Sequence, residues 1–210
     1  MRKAPWKVIA LIASVHLVLY AVLGDEGWIQ RSIETELQAQ TQFLGADLAN
    51  REHERAAGWF DTLLVRPGIV ASSFRSFIPT PEEKAKAKDG EQVSHFIFDW
   101  FEQRLRVFWT LVYQAMMRLA VALSWLPFGL LLIAPAAVDG WVRRRIKQTN
   151  FDYASPDRFG FSVLITQITV VGFFLLLFAP WSMPVVTAPI CFILAAVATR
   201  VMLANIQKRI

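Results

Sequence analysis

The sequence predicts an all-α membrane protein: four transmembrane helices, with an extracytoplasmic helical hairpin between the first and second spans. Three observations carry that prediction. Of 210 residues, 55% are hydrophobic, above the roughly 45–50% of soluble domains, and the mean hydropathy is +0.39. Apolar runs approach the about 20 helical residues needed to cross a hydrocarbon core of ~30 Å. Lysine and arginine are concentrated in some connections and sparse in others.

The first span is Trp6 to Gly24, preceded by Arg2, Lys3 and Lys7 and followed by Asp25 and Glu26. It reads as an uncleaved anchor over residues 1–24, with signal cleavage after Val22-Leu23-Gly24 as the alternative. Residues 25–106 contain no run long enough to cross. After Asp25, a candidate N-cap, Ile29, Ile33, Leu37, Leu44 and Leu48 recur at helical spacing opposite Arg31, Glu34, Gln38, Gln42 and Asn50, which predicts one helix, bent near Gly45 and ending at Arg66-Pro67-Gly68. Pro79 to Gly90 is small, charged and turn-rich, an exposed linker. A second helix starts near Glu91 and completes the hairpin.

The apolar stretch from Val107 to Val138 is too long for one span and contains Arg118. Asp99, Glu102, Gln103, Arg106, Thr110, Gln114 and Arg118 form a polar stripe, with Phe96, Phe98, Trp100, Phe101, Phe108, Trp109 and Tyr113 on the remaining surface. This predicts an amphipathic approach helix followed by a span over about Leu119 to Val138, with Pro127 and Pro135 as kink positions. Phe161 to Ala179 and Pro184 to Leu203 are the third and fourth spans, joined by a tight turn at Pro180. Residues 107–210 thus form a three-span domain with a basic loop at 139–160.

Cations left on the cytoplasmic side set orientation. The N-terminal tail, the 139–160 loop and the C-terminal end hold eleven cations against three acids, whereas Asp25 to Arg106 holds ten against fourteen. Four spans place all three cation-rich pieces, and both termini, in the cytoplasm. Sorting of this kind accounts for the net charge of +5 without nucleic acid, and direct nucleic-acid binding is not expected.

Composition excludes several chemistries. One cysteine, Cys191, rules out an internal disulfide or a four-cysteine cluster. Only His16 among three histidines stands at membrane depth, too few for haem between paired transmembrane imidazoles. His53 and His95 with Glu52 or Glu54 are the only material for a metal site, and a solvated charged face is the preferred reading. His16 reads as a neutral side chain bonded to a backbone carbonyl, and Arg118 as a residue reaching the outer interface. Without a phosphate loop, nucleophile elbow or metalloprotease pair, we expect no catalytic residue, no cofactor and no metal.

The segment Val138-Asp139-Gly140-Trp141-Val142-Arg143-Arg144-Arg145-Ile146-Lys147, then Phe151-Asp152-Tyr153-Ala154-Ser155-Pro156, then a Pro-turned pair of spans, resembles a family of inner-membrane proteins encoded by integrating conjugative elements and some conjugative plasmids. The resemblance covers the last seventy or so residues in detail and the first hundred in layout. It implies a membrane component of DNA transfer between bacteria, working beside the coupling ATPase and the type IV secretion channel. On the residues themselves, Ser155-Pro156 is a helix-start signal, and Arg143, Arg144, Arg145, Lys147, Phe151 and Tyr153 form the candidate partner-binding set.

The first functional reading is a non-enzymatic adaptor or scaffold in the bacterial inner membrane, with the lipid bilayer and a protein such as a coupling ATPase or a secretion-channel subunit as partners. The alternative is a small transporter or channel subunit, for which Thr166, Gln167, Thr169, Thr187 and Thr199 are the polar material inside spans. Homo-oligomerisation through the aromatic stripe is a further option.

Overall fold

A computed structural model describes residues 6–78, 92–150 and 153–206, and every regular element among them is helical. The linker from Pro79 to Gly90, Phe151 and the terminal cations Arg2, Lys3, Lys208 and Arg209 lie outside the described residues. Among the described residues eight α-helices follow in order: α1 (Trp6–Leu23), α2 (Glu26–Leu44), α3 (Ala46–Phe60), α4 (Ile69–Phe77), α5 (Gln92–Ser124), α6 (Leu126–Thr149), α7 (Pro156–Leu177) and α8 (Thr187–Ala204). Among the described residues, four helices are long and apolar enough to cross a membrane: Phe98–Ser124, Leu126–Thr149, Pro156–Leu177 and Thr187–Ala204. In α1, Ser14–Leu23 is a shorter apolar stretch.

The chain divides into two compact units, residues 1–120 with 177–183, and residues 121–176 with 184–210. In the first unit, Asp25 caps α2 as its sequence position predicts, accepting the Trp28 amide at 3.1 Å. Gly45 takes φ +87°, a value that L side chains rarely adopt, and it separates α2 from α3 rather than merely bending one helix. α3 then passes into a π turn over Asp61–Val65. Along α5, α2 runs in the same sense, Ile29 clustering with Val107 and Leu111 while Glu36 meets Arg118. α3 runs back, with Ala56 among Met117 and Ala120 and the Phe60 ring against Tyr113 and Trp109.

This packing differs from a two-helix hairpin in what it buries. The inward face of α2 is Ile29, Ser32, Glu36 and Gln40, while Leu37 and Leu44 are only half-buried. Part of the aromatic stripe meets the rest of this unit. Trp109 donates to the Ser73 hydroxyl at 3.0 Å, Phe101 stacks on Phe77 of α4, and Trp100 remains exposed. Arg104 donates to the Val22 and Gly24 carbonyls at 2.9 and 2.6 Å, partnering backbone acceptors that the end of α1 leaves open.

In the second unit the expected span over Leu119 to Val138 is not continuous. α5 ends at Ser124 and α6 begins at Leu126, because Pro127 has no amide to donate and suits the first turn of a new helix. Pro127 therefore starts a helix instead of kinking one, and Pro135 lies inside α6. The segment expected as a basic loop is helical as far as Thr149. α6 and α8 run parallel and close, Gly129 lying against Phe192 and Gly140 against Arg200 and Leu203. A Cβ on Gly140 would stand 2.6 Å from the Arg200 carbonyl oxygen, so this approach requires glycine.

Candidate functional site

Two polar assemblies stand out, one in each unit. In the first, Arg118 and Glu36 form an ion pair with each side chain 1% exposed. Arg118 Nε donates to both Glu36 oxygens at 3.1 and 3.2 Å, and Nη2 also reaches Glu36. The remaining donors grip backbone carbonyls of the Pro180 turn: Leu177 at 3.1 Å, Ala179 at 2.7 Å and Trp181 at 2.6 Å. Glu36 in turn accepts from the Met183 amide at 2.7 Å and from Gln114 Nε2 at 3.3 Å. Gln114 is also 3.2 Å from the Ser32 hydroxyl.

The expectation that Arg118 reaches an interface is corrected. A guanidinium this deep needs a counter-charge and a full set of acceptors, and α2 and the turn supply both. The signal was present as two polar lines at helical spacing, Ser32-Glu36-Gln40 and Gln114-Arg118, of opposite charge. Reading charged residues as outward-facing hid it. His16 lies with its ring edge-on to Tyr20, centroids 4.4 Å apart. His53 has Nε2 3.3 Å from the Tyr113 hydroxyl, and the buried Glu52 pairs with Arg55 at 2.7 Å. The His95 side chain lies outside the described residues.

The second assembly is the basic end of α6. Helix C-termini favour cations, since the last carbonyls carry partial negative charge. The close approach at Gly140 brings Asp139 between Arg143 of its own helix, at 3.0 Å, and Arg200 of α8. One turn and more further on, Lys147 donates to Asn205 Oδ1 at 2.9 Å, and Asn205 donates to the Val201 carbonyl at 2.8 Å. The helix thereby splits the expected cluster. Arg143 and Lys147 turn toward α8, whereas Arg144 and Arg145 lie over the exposed Trp141 ring, 5.7 and 5.4 Å from its centroid. Tyr153 is 77% exposed. α7 starts where Ser155-Pro156 predicts, the Arg158 amide 3.4 Å from the Ser155 hydroxyl.

Fold and site together define a protein whose described elements are all helical, whose apolar helices are compatible with a multi-pass membrane protein, and which carries a basic cluster at one end of α6. The chain belongs to the DtrJ-like family, described as IncC plasmid conjugative DNA transfer protein DtrJ-like, over residues 10–207. That membership agrees with the resemblance read from the Asp139-Gly140-Trp141 segment and extends it over nearly the whole chain. No curated protein and no solved structure matches the chain.

Proposed function

We propose that the chain is a non-enzymatic inner-membrane subunit of a conjugative DNA transfer apparatus of the type IV secretion kind, an adaptor or scaffold beside the coupling ATPase. Both termini and the basic end of α6 are cytoplasmic, and residues 25–106 lie outside with the Pro180 turn. The observation that carries this reading is the division of the basic cluster. Arg143 and Lys147 are engaged by Asp139 and Asn205, while Arg144 and Arg145 lie over the exposed Trp141 ring and Tyr153 stays exposed. Family membership in conjugative transfer supports it, as does the Glu36 contact with Met183, which puts an outer-segment residue beside the Pro180 turn.

The transporter alternative draws little from the span threonines. Thr166 donates to the Ser162 carbonyl at 3.0 Å and Thr187 to the Pro184 carbonyl at 2.7 Å, while Thr169 lines a cavity otherwise apolar, with Phe173, Phe192 and Cys191. Hydroxyls satisfied by their own helix do not build an ion path.

Co-purification of the coupling ATPase from conjugating cells tests the docking role. Removing residues 151–153, or converting Arg144 and Arg145 together to alanine, is expected to abolish co-purification and lower mating frequency while the chain still inserts. Undiminished co-purification by both variants refutes it.

A further inference from the structure

The other half of the basic cluster bounds a cleft of about 700 Å³, within the range of small-ligand sites. Among the described residues four cations border it: Arg143 and Lys147 from α6, Arg158 from the first turn of α7 and Arg200 from α8. Among the described residues Asp139 is the single carboxylate in the lining, which leaves that lining a net positive charge. Two of these cations share Asp139, and Lys147 donates to Asn205 Oδ1 as one of its contacts. The Arg158 guanidinium has no partner among the described residues. The walls are apolar, Val142, Ile146, Val201 and Ala204, and all belong to helices of membrane-spanning length.

An excess of cations invites an anion, and an apolar wall invites hydrocarbon. A free phosphate satisfies the first and wastes the second. A nucleic-acid backbone needs an extended basic track with stacking rings, and the rings here, Trp141 and Tyr153, do not line the cleft. We infer that this cleft binds one anionic phospholipid, its headgroup phosphate between Arg158, Lys147 and Arg200 and the top of an acyl chain against Val142 and Ile146. Basic pockets between membrane helices on the cytoplasmic side recognise anionic headgroups through these same forces. The site is separate from the face proposed for the protein partner. It makes the packing of α6 and α8 sensitive to the acidic-lipid content of the membrane.

The test uses the full chain purified in neutral detergent. Short-chain phosphatidylglycerol, short-chain phosphatidylcholine, inorganic phosphate and a single-stranded oligothymidine are each titrated by calorimetry. The expected result is saturable binding of phosphatidylglycerol in preference to the other three. Arg158→Gln, which breaks no contact among the described residues, weakens it about five-fold, the effect of one surface cation on anionic-lipid binding. Arg145→Gln, outside the cleft, weakens it less. Equal losses in the two variants mean diffuse surface attraction and overturn the proposal, as does phosphate or oligothymidine binding as tightly as phosphatidylglycerol. With no partner present, a negative result removes the lipid site and leaves the docking role standing.

Discussion

Replacing Arg118 by methionine keeps the stem and removes the guanidinium. Glu36 is then a buried carboxylate whose remaining donors are the Met183 amide and Gln114 Nε2, and three carbonyls of the Pro180 turn lose their donor. Removing one partner of a buried ion pair costs about 3–5 kcal/mol. Each carbonyl left dry adds about 1–3 kcal/mol unless water enters. Loss of the pair alone corresponds to a fall in Tm of roughly 6–20 °C, on the scaling for domains of this length. Glu36→Leu leaves the opposite charge buried, and we expect a comparable loss. The double variant strands neither charge, so it is expected to be more stable than the sum of the two losses predicts. The assay is unfolding of the detergent-solubilised chain followed by circular dichroism, arranged as a double-mutant cycle. A coupling energy within about 0.5 kcal/mol of zero, the range of independent sites, refutes the argument that Glu36 and Arg118 act as one buried unit.

Three further outcomes are expected. With Cys191 replaced by serine, Ser94→Cys and Thr149→Cys are labelled by impermeant maleimide from opposite sides of the membrane, and labelling from one side refutes the orientation. Gly140→Ala forces its new methyl onto the Arg200 backbone, and overpacking of this kind costs about 1–3 kcal/mol. It is read as a lower Tm together with loss of the Asp139–Arg200 contact, and an unchanged Tm denies the close approach of α6 and α8. Arg104→Gln removes the donor to the Val22 and Gly24 carbonyls and costs about 1.5–3 kcal/mol, the worth of hydrogen bonds to a charged group. A stability equal to wild type indicates that water serves those carbonyls instead.

Hydropathy and cap chemistry made much of the fold legible. Spans read as Phe161 to Ala179 and Pro184 to Leu203 appear as α7 and α8, with Ser155-Pro156 at the start of α7 and Asp25 at the start of α2. Both signals are local, set by a residue and its next few neighbours. What escaped depends on partners distant in sequence. The break at Trp125 was hidden because Leu119 to Val138 is apolar on both sides of Pro127, so hydropathy marks no boundary there. Glu36 and Arg118 are 82 positions apart, and neither residue alone announces that it is buried. The basic segment, expected as a loop, is helical as far as Thr149, and its division around Trp141 follows from helical phase, which a loop assignment discards.

Arg118 and Glu36 hold the Pro180 turn through main-chain atoms, the carbonyls of Leu177, Ala179 and Trp181 and the amide of Met183. Selection on this clasp therefore acts on the path of the turn and hardly on its lettering. Relatives should carry the acid and the base as a matched couple, exchanged or lost together, while Ala179, Pro180 and Trp181 answer to a separate constraint, the first two buried and the third edge-on to the Tyr20 ring.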